Sequence, residues 1–300
     1  MEPGLYLIST PIGNSKDITL RAIDVLSIAD VIVCEDTRRT KKLLTIHNIS
    51  IDSRPCIAYH DHSSNNQLQY ILDIIRTGKT VAYTSDAGTP LISDPGYEIV
   101  KAVTCEHLKV FSIPGPCAAI AALTISGLPT NNFMFIGYPP RKTSQRISFL
   151  SKYQSLQTTM VIYESPERVI DTINDLLQVF GNKHATVARE ITKRFEEVIS
   201  GTLQDIGGIL GQYVKIKGEI AIIVDTRYTE LDSQQIESKD RELDLIIMEY
   251  SSKIKSVKDL STVVSYIHGV RKNTVYKRAI QLLKHTHNAL DNKEAYDGEE

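Results

Sequence analysis

The chain has 300 residues, 42% of them hydrophobic, with a formal net charge of −2 at pH 7. That is enough apolar material for two packed domains and a small appendage, and the near-neutral total gives no global reason to expect a polyanionic partner. No apolar run reaches the roughly 18 residues that span a bilayer, and Met1-Glu2-Pro3 lacks the basic start of a signal peptide, so a soluble cytoplasmic protein is expected.

Cys34, Cys56, Cys105 and Cys117 show no C-x-x-C spacing. They are read as mostly buried thiols, with neither a zinc site nor a disulfide framework. Charge is unevenly distributed. Lys253, Lys255, Lys258, Arg271, Lys272, Lys277, Arg278 and Lys284 face one acid, Asp259, between Ser251 and His287.

In chain order, Leu5-Tyr6-Leu7-Ile8 reads as a short strand stopping at Ser9-Thr10-Pro11-Ile12-Gly13-Asn14, before a helical pattern through Leu20, Ile23 and Leu26. The same order of strand, tight loop and helix returns three times. Val31-Ile32-Val33-Cys34 precedes Glu35-Asp36-Thr37-Arg38-Arg39, and Thr80 to Thr84 precedes Ser85-Asp86-Ala87-Gly88-Thr89-Pro90-Leu91-Ile92-Ser93-Asp94-Pro95-Gly96. Lys109 to Ile113 then precedes Pro114-Gly115-Pro116 and an Ala-rich helix. Strands alternating with helices predict an α/β fold with a largely parallel sheet, whose ligands gather at the carboxyl ends of the strands. The loop from Ser85 to Gly96 is the candidate centre: glycines permit close backbone approach, prolines stiffen it and two carboxylates supply acceptors. An ordinary strand-to-helix connection is the alternative.

Beyond Leu128-Pro129-Thr130, the segments Phe133–Ile136, Thr159–Tyr163, Ala185–Ala188 and Glu219–Val224 predict further strands, with a helix over Pro166–Phe180. They give a second α/β domain over 116–228 after a first over 1–115, its sheet open to mixed pairing. Polar residues 229–241 read as a linker and acidic residues 289–300 as a disordered tail. Between them, residues 242–288 carry helical periodicity. Ser256 with Asp259 marks a helix start, Gly269 a stop, and a further helix begins near Asn273. Two helices joined by a short turn beside Arg271 and Lys272 resemble a helix-turn-helix; a helical cap with solvated lysines is the plainer alternative.

No loop carries G-x-G-x-x-G or the P-loop pattern. Asp86 and Asp94 suit a cation or sugar hydroxyls better than a phosphate. Glu35 to Arg39 should reach the same cleft edge. Tyr59-His60-Asp61-His62 contains metal-ligand types without a further ligand cluster, so no metal is expected, and His60 is read as a residue that handles a proton or holds substrate.

Thr10 to Asn14, Glu35 to Arg38, Ser85 to Gly96, Pro114 to Pro116, Ser126 to Thr130, Tyr163-Glu164-Ser165-Pro166, Ala188-Arg189-Glu190 and Gly218-Glu219-Ile220 occur in one order and approximate spacing. In this the sequence resembles the ribosomal RNA small subunit methyltransferase I family of the tetrapyrrole methylase superfamily, over residues 4 to 226. The resemblance implies two α/β domains of the tetrapyrrole methylase type with a cofactor cleft between them, plus the small C-terminal helical module. It implies S-adenosylmethionine-dependent 2′-O-methylation of a cytidine ribose in the decoding region of small-subunit (16S) ribosomal RNA. It further implies a homodimer, acting on that RNA or on the 30S subunit; no membrane partner is expected, since no long apolar run is present.

By motif, the implied cofactor contacts are Pro11, Asp86, Gly88, Thr89, Pro90, Ile92, Asp94, Ile113, Cys117, Ala118, Tyr163, Gly218, Glu219 and Ile220. Candidates for the base that takes the ribose proton are Glu35, His60, Asp86 and Glu190, with Asp86 and Glu35 favoured because each follows a strand ending at the cleft. Arg38 and Arg141 are candidates for RNA phosphates, with Arg271, Lys272, Lys277 and Arg278 in the basic module. Ser9 and Cys117 depart from the family's usual Ala and Ser. Rival readings are a tetrapyrrole methyltransferase of the same superfamily and a non-catalytic RNA-binding or assembly protein.

Overall fold

The computed structural model describes residues 1–60, 63–227, 242–254 and 256–282. The chain divides into two units, 1–227 and 228–300. In the first unit, β1 (Gly4–Ile8), β2 (Val31–Cys34), β3 (Cys56–Ala58), β4 (Thr80–Thr84) and β5 (Val110–Ile113) form one sheet in the order β3-β2-β4-β1-β5. Every pairing in it is parallel. All five residues of β4 are buried, as a strand covered on both faces requires.

Four helices run between these strands: α1 (Leu20–Ile28), α2 (Thr37–Ile46), α3 (Asn65–Arg76) and α4 (Tyr97–Cys105). Three open on a side-chain cap, with Thr19, Asp36 and Ser64 accepting the N–H of Ala22, Arg38 and Gln67, which satisfies donors the first turn leaves free. Ala22, Val25 and Leu26 of α1 pack with Ile8, Ile32 and Ala82 on one face. Ile71, Leu72 and Ile75 of α3, with Ile99 and Val103 of α4, pack against Val33, Val81 and Tyr83 on the other.

The second sheet is mixed. Strands β6 (Phe133–Gly137), β7 (Thr159–Glu164), β8 (His184–Arg189), β9 (Glu197–Thr202) and β10 (Ile220–Asp225) lie in the order β6-β7-β10-β8-β9. The β6 and β7 strands are parallel and the other pairs antiparallel. Helix α5 (Ala118–Ile125) follows the first sheet in sequence yet packs Ala119, Ala122 and Leu123 against Val161, Ala188, Ala221 and Ile223 of the second. It is the joint between the two layers. Helices α6 (Thr143–Ser151), α7 (Val169–Phe180) and α8 (Leu203–Gly211) cover the opposite face. On α7 the apolar stripe Val169, Ile173, Leu176 and Phe180 follows helical spacing.

Strands β3 and β9 were not expected from the sequence. The first has three residues at a sheet edge, and the second buries only Ile199, so neither shows an alternating apolar pattern. Helix α7 starts at Val169 and not at Pro166, because the Arg168 N–H bonds back to the Ser165 carbonyl in a turn that precedes it.

In the second unit, α9 (242–251), α10 (Val257–His268) and α11 (272–282) enclose Leu243, Ile247, Leu260, Val264, Val275 and Ala279. Ser256 caps the Asp259 N–H, and Gly269 ends α10 at φ 68°. The linker expected over 229–241 and the tail over 289–300 lie outside the described residues, as do Asp61 and His62. No described helix is long and apolar enough to cross a membrane.

Beneath the second sheet, Arg146 on α6 pairs with Asp175 on α7 at 2.5 Å, with the two side chains 1% and 8% exposed. Removing one partner strands a buried charge, so Asp175→Ala is expected to lower stability by about 3–5 kcal/mol, measured as a lower urea midpoint. A shift within error of the wild type would show the pair to be dispensable.

Candidate functional site

At the carboxyl ends of β1, β4 and β5, three loops are stitched together by polar contacts. Thr10 and Gly88 exchange backbone hydrogen bonds, N–H to carbonyl, at 2.9 and 3.0 Å. The Thr10 hydroxyl donates to the Ser85 carbonyl, and the Ser85 hydroxyl donates to the Gly88 carbonyl. Thr89 Oγ1 donates to the Pro116 carbonyl at 2.9 Å and meets Ser9 Oγ at 3.1 Å. Gly115 allows this approach, since a Cβ there would lie 3.0 Å from that of Ser9.

The second sheet supplies the facing loop. The Asn14 N–H donates to Thr192 Oγ1 at 3.0 Å, and a Cβ on Gly13 would meet that oxygen at 2.5 Å. Among the described residues, seven non-glycines have positive φ, and four lie on these two loops: Leu91 (72°), Ser93 (63°), Glu190 (53°) and Thr192 (66°). Such conformations persist only where surrounding structure enforces them, and they gather at functional sites.

Glu190 Oε1 accepts from Lys193 Nζ at 2.8 Å and from the Glu219 N–H at 2.9 Å. The lysine bond holds its carboxyl below the usual range. Gly218, at φ 92°, has no room for a Cβ, which would fall 2.4 Å from the Glu190 side chain. This network fixes the start of β10.

Between the loops lies an open cleft with room of about 170 Å³ inside it. Its floor and walls include Ile12, Ile92, Ile191 and Ile220, with Asp94, Glu219, Tyr138 and Tyr163 as polar features. Burial pushes the Asp94 carboxyl up to about 6, with the charges of Glu35, Asp86 and Glu219 adding to the rise and a Ser85 hydrogen bond opposing it. Burial also raises the Tyr163 and Tyr138 phenols. Carboxylates therefore gather at the cleft, with Glu219 3.0 Å from Lys193 Nζ and Asp86 paired with Arg39.

Comparison with known proteins places this geometry. The family model described as Tetrapyrrole (Corrin/Porphyrin) Methylases matches residues 4–207. Ribosomal RNA small subunit methyltransferase I of Halalkalibacterium halodurans is 42% identical over 232 residues, covering 77% of this chain and 79% of the relative. The protein of the same name from Vibrio cholerae is 39% identical over 284 residues, covering 94% and 96%. This chain belongs to the tetrapyrrole methylases, in the ribosomal RNA small subunit methyltransferase I family. The fold is shared more widely: uroporphyrin-III-C-methyltransferase of Thermus thermophilus superposes with a TM-score of 0.52 at 18% identity, covering 75% of this chain and 95% of that one.

Of the cofactor contacts that the family motifs imply, Gly88, Thr89, Ile92, Asp94, Cys117, Ala118, Tyr163, Glu219 and Ile220 line the cleft. The other five stand behind it or beside it. Ile113 is buried at the end of β5, Pro90 is buried in the central loop, and Pro11 precedes the lining residue Ile12. Gly218 makes room for Glu190, and Asp86 accepts the Asp36 N–H at 3.0 Å while pairing with Arg39 at 3.2 Å. Asp86 thereby ties the central loop to the start of α2.

Arg38 forks onto its own cap residue Asp36, whose carboxyl those bonds hold at about 2. His60 is exposed on the loop after β3, where its backbone N–H is held by Ser63 Oγ. Among the described residues no group of three or more His, Cys, Asp or Glu could hold a metal. In the second unit Arg271, Lys272 and Lys277 are exposed, whereas Arg278 forks onto Asp244 at 2.6 and 2.8 Å. Sequence reading passed over Tyr138, Ser93 and Ile191 as lining residues. Tyr138 sits in Gly137-Tyr138-Pro139-Pro140, whose glycine and prolines were the available signal.

Asp94 gives a stability test. Its folded-state value near 6 lies above the ordinary 3.8, so the native chain holds this proton more tightly than the unfolded chain. The group's contribution to stability is greatest at low pH and is lost as pH rises through about 6. Asp94→Asn is expected to raise Tm above wild type at pH 7.5, with the gap closing near pH 4. A constant gap across that range would contradict the assignment.

Proposed function

We propose that this chain transfers the methyl group of S-adenosylmethionine to the 2′-hydroxyl of a cytidine ribose in the decoding region of small-subunit ribosomal RNA. The observation that carries the reading is the carboxylate-crowded cleft on family motifs. Asp94, with Glu35, Asp86 and Glu219 close enough to raise it, favours a cationic ligand, and the isoleucine walls suit an apolar ring. The acceptor comes from the names of the relatives, which are ribosomal RNA small subunit methyltransferases.

When bound, S-adenosylmethionine supplies a methyl group on a positively charged sulfur. The chain's part is alignment and proton removal. The interlocked loops around Thr10, Gly88 and Thr89 hold the cleft in one shape, which is what an in-line displacement asks of its surroundings. Glu35 or Asp86, at the ends of β2 and β4, takes the ribose proton, a contribution of about 10² to 10⁴-fold. Glu190 is committed to Lys193 and the Glu219 N–H, which suits it to shaping the cleft. Exposed Arg271, Lys272 and Lys277 of the helical unit engage RNA phosphates. The enzyme works in the cytoplasm as a homodimer on ribosomal RNA or the 30S subunit.

Incubating the protein with labelled S-adenosylmethionine and unmethylated small subunits is expected to label one cytidine at its ribose oxygen. Label on a tetrapyrrole alone, or on nothing, would overturn the reading. The double variant Glu35→Ala, Asp86→Ala is expected to lose about 10²-fold or more in transfer rate, and full activity would remove both residues from the chemistry.

Calorimetry supplies a further check. Affinity for S-adenosylmethionine is expected to fall as pH drops through about 6 and Asp94 takes a proton, a dependence absent in Asp94→Asn. Neutralising Arg271, Lys272 and Lys277 together is expected to reduce the log–log salt slope of RNA binding by about two.

A further inference from the structure

The loop after β6, Tyr138-Pro139-Pro140-Arg141-Lys142, is held from beneath by two guanidiniums. Arg168 donates to the Pro139 carbonyl at 2.8 Å while pairing at 2.7 Å with Glu164, whose side chain is fully buried. Arg146 donates to the Arg141 carbonyl at 3.1 Å while pairing at 2.5 Å with buried Asp175. Glu164 is fixed in turn by the Ser165 N–H and the Thr172 hydroxyl, at 2.7 and 2.6 Å. Buried ion pairs are a poor source of stability because desolvation offsets their attraction. Here two of them place a remaining donor on the same short loop, and two prolines restrict its backbone further. The result is a rigid platform at the cleft mouth.

Tyr138 stands on that platform. It lines the cleft with Asp94 and Glu219 yet is 59% exposed. Its ring meets Tyr163 edge to face with centroids 5.6 Å apart, and Tyr163 meets Phe135 at 4.8 Å, so three rings lead from the second sheet to solvent. Arg141 and Lys142, three and four residues on, are exposed. An open aromatic face braced by a second ring, with cations close along the chain, matches an unpaired nucleotide. The base stacks on the ring and a guanidinium takes the phosphate.

We infer that Tyr138 is the stacking platform for the base of the nucleotide being methylated, with Arg141 holding an adjoining phosphate. The inference rests on the RNA-methylation reading above and adds the residue that positions the acceptor at the donor cleft. Unmethylated small subunits and S-adenosylmethionine are the probes.

Tyr138→Ala is expected to raise KM for small subunits about tenfold or more, while Tyr138→Phe stays within about twofold of wild type and Tyr138→Leu fails as Ala does. Affinity for S-adenosylmethionine is measured in all three by calorimetry, and the rise in KM of the Ala and Leu variants is expected to exceed any change in it. Arg141→Ala is expected to raise the same KM and flatten its log–log salt dependence by roughly 0.7.

A Tyr138→Ala enzyme with wild-type KM would overturn the inference. So would a loss of S-adenosylmethionine affinity that accounts for the defect, which would move Tyr138 to the donor side. If the wild-type protein itself transfers no methyl group to small subunits, the RNA reading falls and the inference with it. That failure shows in the wild-type arm alone and is distinct from a defect confined to the variants.

Discussion

The two-way hydrogen bond between Thr10 and Gly88 is the contact on which the cleft depends. Neighbouring parallel strands leave their C-terminal loops free to diverge, and here the loops after β1 and β4 are joined by an isolated antiparallel bridge, Thr10 to Gly88, formed after both strands have ended. Once Gly88 is fixed, Thr89 lies within reach of both Ser9 and the Pro116 carbonyl, so the loop after β5 joins as well. Each loop satisfies the backbone groups of the next, which lets irregular chain be packed without orphaned donors. The positive φ at Leu91 and Ser93 is sustained by this bracing.

Charge gives the cleft its chemical preference. Burial raises the Asp94 carboxyl, and repulsion from neighbouring Glu35, Asp86 and Glu219 adds to the rise. A bound cation relieves that repulsion and a phosphate would worsen it. The second sheet handles its charges differently. Glu164 and Asp175 each have a guanidinium against them, and those guanidiniums brace the loop that carries Tyr138. The carboxylates nearest Asp94 take their partners from surface cations, Asp86 from Arg39 and Glu219 from Lys193, whereas Glu164 and Asp175 take theirs from arginines held within the fold.

Much of the fold was legible because its strands are buried runs between turn residues. Val31–Cys34 and Thr80–Thr84 have the bounds read from sequence, since a strand covered on both faces must be apolar throughout. Strands β3 and β9 escaped because an edge strand is held by backbone pairing and needs few apolar side chains. The central loop was legible as a site from its glycines, prolines and aspartates. Asp86 was not legible as a tie to Asp36 and Arg39, since fifty residues of chain separate it from the first of these. Nor was the committed state of Glu190, which depends on Gly218 having no side chain.

By itself the sequence determined the alternation of strand, loop and helix, the family motifs in their order and the basic helical end, because these are local patterns of period, turn chemistry and charge. Only the tertiary structure decided which loops share an edge, because strand order β3-β2-β4-β1-β5 is set by crossover packing and not by adjacency in the chain. That order puts β1 between β4 and β5, so Ser9, Thr89 and Pro116 meet. It also decided which carboxylates gather around Asp94 and which basic group each acquires, Arg39 for Asp86 and Lys193 for Glu219, a pairing made by distances that no linear pattern records.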